Sequence, residues 1–247
     1  MPDKTLPPKD MMFVPMTAAI PLALKPTAIP ENIHPGYVTN PDNYPHIRGI
    51  KASKSFHENA FAKLTSLNEL KRKPMPTMNA PQIATELQAM GRKVKADIQQ
   101  QFTLVAKTID DEIAETQSHI EAVGMFKRND QAAEIRQVLR ELKPQERVAA
   151  IDQALSDGDE GLLSSVLEAA HPITVGISKA FQDGARKRWL ARTCPDELKD
   201  LDALTKERAR LQDSVVAALK TADEASRGIE EYSAQIADAE AARAAFK

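Results

Sequence analysis

The sequence predicts an all-α protein that begins with an extended, proline-rich arm. Only nine glycines and 4% aromatic residues occur among its 247 residues, and a sheet-based fold needs more of both in its turns and strands. Apolar residues recur every three or four positions from about residue 53 onward, which is the period of an amphipathic helix. Ten of the 16 prolines lie within the first 45 residues, so the helical part begins after them.

The arm is predicted over residues 1–50. Each proline lacks an amide donor and restricts the residue before it, so no regular helix is expected there. The arm also carries apolar side chains, which a purely solvated linker does not need. We therefore expect it to lie in a groove of a partner, by edge-strand addition or in polyproline form. The candidate partner-binding residues are Met11, Met12, Phe13, Val14, Ile20, Leu22 and Leu24.

Four helical parts are predicted after the arm. A short amphipathic helix occupies residues 51–76 and ends at the prolines of its last turn, and a long helix follows over residues 81–125. Residues 129–194 are broken by turn signals, which indicates a bundle of short helices. Residues 195–247 form a second long helix.

The last helix has the heptad pattern of a coiled coil. Two apolar series, one starting at Leu201 and one at Leu204, continue to the C-terminus, and only Arg208 and Arg243 interrupt them. The second helix of the pair is either the one over residues 81–125 or the same helix of another subunit. The candidate seam residues are Leu201, Leu204, Leu211, Val215, Ala222, Ile229, Tyr232 and Ile236.

The composition argues against several classes of function. A formal net charge of −2 draws the chain neither to nucleic acid nor to an acidic membrane as a whole. Cys194 is the only cysteine, which excludes an internal disulfide and a cysteine-rich zinc site and suits a reducing compartment. The apolar residues 11–24 are too few to span a bilayer as a helix, and Pro15 and Pro21 interrupt them. We expect no membrane span, no cofactor and no catalytic or metal site.

One acidic segment invites a calcium interpretation. Asp157, Asp159 and Glu168 take the first, third and twelfth positions of an EF-hand loop, but Gly161 and Leu162 stand where a ligand and the sharp-turn glycine belong. A turn followed by a helix cap explains the segment more simply.

A local basic cluster supports an alternative function. Arg186, Lys187, Arg188 and Arg192 could grip phosphates, with Trp189 stacking on a base. The competing interpretation is a solvated helix face with the indole in the core. The alternative function is therefore a nucleic-acid-binding or genome-packaging accessory protein.

A pattern in the middle of the chain adds a resemblance. Residues 135–142 are followed by Pro144, Glu146, Arg147 and three further short matches: Ala154 with Leu155, Gly158 with Asp159, and Val166 with Leu167. This pattern resembles one found in helical structural proteins of tailed bacteriophages, and the arm on long helices resembles virion components that staple neighbouring subunits. The resemblance implies a non-catalytic virion protein, a homo-oligomer that binds other subunits and is assembled in the host cytoplasm.

The seam yields a first prediction. Ile229→Asp should cost several kcal/mol, because the substitution places a carboxylate without a partner against another helix. Glu230→Lys, on the predicted outer face, should change stability by no more than about 0.5 kcal/mol. Thermal melts and oligomer mass compare the two variants, and equal effects would show that the heptad assignment is wrong.

Overall fold

A computed structural model of the chain describes residues 25–72, 80–127 and 129–227. These residues form seven α-helices and four single-turn 3-10 helices, and no strand occurs among them, which confirms the all-α prediction. The α-helices are α1 (Arg48–Arg72), α2 (Ala80–Gly124), α3 (Ala132–Glu141), α4 (Pro144–Asp157), α5 (Glu160–Leu167), α6 (Lys179–Thr193) and α7 (Pro195–Arg227).

The three long helices, α1, α2 and α7, pack as one bundle. Helices α2 and α7 are antiparallel, as two ion pairs show: Lys95 Nζ to Asp223 Oδ1 at 2.6 Å and Arg208 Nε to Asp110 Oδ1 at 2.8 Å. Helix α1 runs parallel to α7. At 1.5 Å per residue, the 45 residues of α2 extend about 68 Å. The largest fully buried apolar side chains of the bundle are Ile33, Ile50, Phe56, Leu64, Leu67, Leu87, Ile98, Ile109, Leu204 and Leu211.

The buried face of α7 is wider than the predicted seam. Leu201 is half-buried, and Arg208 does not leave a gap because its guanidinium lies over the Phe102 ring of α2. The wider face arises because α7 packs against α1, α2 and the N-terminal turns at once. Of the predicted seam residues, Leu204, Leu211, Val215 and Ala222 are buried within the chain, whereas Ile229, Tyr232 and Ile236 lie outside the described residues.

The C-terminal half of the predicted arm requires correction. Residues 48–50 belong to α1, and residues 25–47 lie on the bundle of the same chain. Pro35 and Pro41 begin the 3-10 turns at Pro35–Tyr37 and Pro41–Asn43, because proline at the first turn position needs no amide partner, and Pro30 precedes a third turn at Glu31–Ile33. Ile33 and Ile47 are buried in the bundle core. The candidate arm residues 11–24 lie outside the described residues.

The start of α1 is fixed by α2. The Glu112 carboxylate accepts the amides of Arg48 at 3.0 Å and Gly49 at 2.8 Å, so a side chain from a neighbouring helix satisfies the free donors of the first turn. A Cβ on Gly49 would lie 2.8 Å from Ile109 Cγ1, so this close approach requires glycine.

Helices α3–α6 form a smaller unit inserted between α2 and α7. The buried Arg147 donates to the carbonyl oxygens of Leu139, Arg140 and Leu142. It thereby satisfies carbonyl groups that lack a partner at the C-terminal end of α3. Gly158 ends α4 in the left-handed conformation (φ 75°), and the Asp159 side chain accepts the amide of Leu162 as the N-cap of α5. Arg147, Gly158 and Asp159, which belong to the sequence pattern that begins at residue 135, therefore stabilise the fold of this unit.

The contact between α2 and α7 yields a second prediction. Ala222 is fully buried, and a Cβ on Gly91 would lie 2.8 Å from Ser226 Cβ, so the two backbones come close here. Ala222→Trp should cost about 1 to 3 kcal/mol by forcing them apart. The matched control is Ala209→Trp, on the exposed face of the same helix. Urea unfolding measures both, and an equal loss would contradict this packing.

Candidate partner-binding surface

A buried polar network joins α1 to α7. His57, Glu207 and Ser214 are each 0% exposed. His57 Nε2 lies 2.8 Å from Ser214 Oγ, and the Ser53 hydroxyl donates to Glu207 Oε1 at 2.6 Å. Helices α1 and α7 therefore meet through charged and polar groups as well as through apolar side chains. We refer to Ser53, His57, Glu207 and Ser214 as the clasp.

The clasp also holds the N-terminal turns. Ser214 Oγ lies 2.6 Å from the carbonyl oxygen of Asn32, and Glu207 Oε2 accepts the amide of Thr39 at 2.9 Å. Arg210 adds a hydrogen bond to Thr39 Oγ1 at 2.8 Å. The segment is thus attached to α7 at two separate points, Asn32 and Thr39, through hydrogen bonds that would be lost if the segment moved away.

Burial decides the charge of the clasp imidazole. Desolvation lowers the pKa of His57, outweighing the Ser53 carbonyl, the Glu207 charge and the Asn32 carbonyl, which raise it. Nδ1 lies 2.9 Å from the Ser53 carbonyl oxygen, which can only accept, so Nδ1 carries the proton of the neutral ring. Nε2 is then an acceptor, and it competes with the carbonyl oxygens of Asn32 and Arg210 for the single hydroxyl proton of Ser214.

A serine next to an imidazole is the pair that many hydrolases use for nucleophilic attack. Here, however, Ser214 and His57 are fully buried beneath the N-terminal turns, and both are hydrogen-bonded to backbone carbonyls. A substrate has no route to this hydroxyl in the folded chain. The clasp therefore acts by holding the turns in place.

The turns held by the clasp form one wall of a groove, and α1 forms the other. The groove encloses about 400 Å³. The His34 ring meets the Phe61 ring edge to face, with centroids 5.2 Å apart, and the Arg210 guanidinium lies 5.9 Å from the Tyr37 ring centre. The lining residues of this aromatic groove are Ile29, Pro30, Glu31, His34, Gly36, Tyr37 and Phe61.

Three of the four cations of the predicted basic cluster have partners within the chain. Arg186 donates to the carbonyl oxygen of Leu167 at 3.1 Å, at the end of α5. Arg188 pairs with Asp152 at 2.9 Å. A cation at the C-terminal end of a helix satisfies free carbonyls and interacts well with the helix dipole. Arg186 and Arg188 thus stabilise the small unit.

The remaining two cations of the cluster differ from each other. Arg192 donates to the carbonyl oxygens of Leu155 and Ser156 at the end of α4. Lys187 is exposed and makes no ion pair with the described residues. The indole of Trp189 is 7% exposed and stacks on Phe126, so it belongs to the core of the unit.

The other sites considered from the sequence have structural surroundings. Cys194 is buried between α6 and α7, and desolvation together with the nearby Glu197 charge raises the pKa of its thiol. No group of three or more ligating side chains within the described ranges could hold a metal ion. Across residues 25–227, apart from the gaps, no helix combines the length and apolar character needed to cross a membrane.

Comparisons with protein-family models, with curated proteins and with solved structures find no match to this chain.

The clasp and the groove are not among the features predicted from the sequence, although the clasp has a signal there. Ser53 and His57 lie in the same frame of alternating three- and four-residue steps as the buried Ala60, Leu64 and Leu67. A polar residue in such a frame faces the core and must find a partner there. The aromatic groove has no comparable signal, because its two walls are distant in the sequence.

The clasp yields a third prediction, on pH. Unfolded histidine titrates near pH ~6.5, and the folded pKa of His57 is lower. The unfolded chain therefore binds more protons below that pH. The contribution of neutral His57 to the free energy of unfolding is complete above pH ~6.5. It falls as the pH is lowered, by at most about 1.4 kcal/mol per pH unit.

His57→Gln removes the titratable side chain and with it this proton uptake. Urea unfolding of both proteins at pH 7.5 and 5.5 should show a smaller acid-induced loss for the variant, even though the variant is less stable at pH 7.5. The four other histidines are common to both chains and cancel in the comparison. An identical pH dependence would mean that His57 does not carry the effect.

Proposed function

We propose that this protein is a non-catalytic structural assembly protein, a component of a bacteriophage virion, which binds neighbouring subunits through its N-terminal arm. The observation that supports this most is the attachment of the arm. The clasp fixes residues 25–47 on a bundle of long helices, so the apolar, proline-containing residues 11–24 begin from a rigid base. A rigid base reduces the ordering cost when the arm binds.

The location of the heptad seam residues indicates how subunits join. Leu204, Leu211 and Ala222 are buried against other helices of the same chain. The described part of α7 is therefore committed within the subunit, and the arm becomes the better candidate for the link between copies. The proposed homo-oligomer forms through arms, assembles in the host cytoplasm and resides in the virion.

The alternative function in nucleic-acid binding receives less support. Arg186, Arg188 and Arg192 already use part of their guanidinium donors on carbonyl and carboxylate partners within the chain, which leaves fewer donors for phosphate. Phosphate binding would also weaken steeply with rising salt. A filter-binding titration that shows such a slope would favour the alternative.

The proposed function yields a fourth prediction. Deleting residues 1–24 should leave the helical circular dichroism signal nearly unchanged, because residues 25–47 retain their clasp contacts. The same deletion should abolish association, measured by native mass spectrometry of the full chain and the variant. The control replaces residues 1–24 by a glycine-serine segment of equal length, which keeps the chain length but removes the apolar side chains. Association by either altered chain, or loss of the helical signal, would contradict the proposal.

A further inference from the structure

We propose that the aromatic groove binds the proline-rich part of the arm of a second copy of this chain. This inference rests on the proposed function and names the surface that receives the arm. Its basis is the conjunction of an aromatic-lined groove on the body with an unusually proline-rich segment at the N-terminus of the same sequence.

The groove has the chemistry that a polyproline ligand requires. Extended proline-rich segments dock into grooves lined by aromatic rings, where flat faces pack against pyrrolidine rings at little entropic cost. Tyr37 and Phe61 are half-buried and His34 is exposed, so ring surface remains available in the groove. A Cβ on Gly36 would meet only His34 Nδ1, at 3.5 Å, so the backbone there leaves space.

Polar groups of the groove fit the backbone of such a ligand. A polyproline segment has no internal hydrogen bonds, so its carbonyl oxygens can accept from a receptor. The Tyr37 hydroxyl has no hydrogen-bond partner among the described residues, although it can donate. It is therefore the donor that we expect to meet a ligand carbonyl.

The charge of the groove indicates which part of the arm binds there. Residues 1–24 contain five prolines, and Pro7 and Pro8 are adjacent and followed directly by Lys9. Glu31 lies exposed on the lining of the groove and makes no ion pair with the described residues. Two stacked prolines followed by a lysine would place an ammonium group beside this carboxylate. We therefore assign Pro7, Pro8 and Lys9 to the groove.

The path of the chain favours a second copy as the donor. The amide of Thr27 donates to the Asn68 side chain at 2.9 Å, the Asn68 amide donates back to Thr27 O at 2.8 Å, and Lys71 bonds Thr27 Oγ1. From there the chain runs back along α1 towards Phe61. The arm therefore leaves the body near Asn68, and the groove lies further towards the N-terminal end of α1, near Phe61. To reach its own groove the arm would have to reverse direction next to Lys25, whereas the arm of a second copy can enter the groove without that reversal.

Photocrosslinking of the full chain tests this assignment. p-Benzoylphenylalanine replaces Phe61, and equal amounts of ¹⁵N-labelled and unlabelled protein are mixed, irradiated, digested and analysed by mass spectrometry. The expected product joins the groove to residues 1–24, with mixed heavy and light pairs that identify two chains. The same probe replacing Leu104, which is 62% exposed on α2, should not capture the arm. Capture of the arm within one chain only, of another segment, or of nothing would overturn the inference.

A charge exchange sharpens the test. Glu31→Lys should reduce the mixed crosslink by about two- to five-fold, the range expected for one exposed ion pair. Combining it with Lys9→Glu should restore the yield, and lack of restoration would overturn the assignment of Lys9. If deletion of residues 1–24 abolishes association but the Phe61 probe does not capture the arm, the groove assignment fails and the proposed function stands. If the deletion leaves association intact, the proposed function itself fails.

Discussion

The position of the N-terminal turns depends on one buried carboxylate. Glu207 is fully buried on α7, and an ionised carboxylate without partners would be costly in that environment. Its oxygens are satisfied by the Ser53 hydroxyl of α1 and the Thr39 amide of the turns. The bundle can therefore close around Glu207 only when α1, α7 and the turns are all in place. A polar group in a helix seam fixes register in the same way.

The His57 side of the clasp extends this constraint along the helices. Ser214 lies one heptad after Glu207, and His57 lies one turn after Ser53, so the two polar contacts are stacked along the parallel pair α1 and α7. The first contact holds Thr39 and the second holds Asn32. The 3-10 turn at Pro35–Tyr37 lies between these two attachments, and it supplies Tyr37 to the groove. A buried network therefore shapes a surface, which is the link between the fold and the proposed role in assembly.

The sequence predicted those features that depend on hydrophobic period. The all-α class followed from it. Part of the α7 face also followed, because Leu204 and Leu211 repeat every seven residues and are buried. Glu207, Ser214 and Thr221 repeat with the same period and are buried too. The heptad pattern did not predict their burial, because it selects only apolar residues and assumes contact with a single partner helix.

Two further features depended on context that the sequence does not display. From the sequence, the prolines of residues 25–47 are interpreted as helix breakers in an arm that lies on a partner, not on its own chain. In the structure, Pro35 and Pro41 begin 3-10 turns whose first amides are accepted by His34 and Asn40. From the sequence, phosphate binding by the basic residues of α6 is an alternative. In the structure Arg186 and Arg192 bond the carbonyl ends of α5 and α4, and only tertiary structure brings those ends to them.

The central claim is that the clasp fixes the N-terminal turns on the bundle, and hydrogen exchange at the Thr39 amide tests it most directly. In the full chain this amide should exchange slowly, because it is bonded to the buried Glu207 carboxylate. In Glu207→Ala it should exchange faster on the order of tenfold or more, while the amides of α3, remote from the clasp, keep their rates. Exchange of Thr39 at the rate of an unprotected amide in the unaltered chain, or an unchanged rate in the variant, would contradict the account.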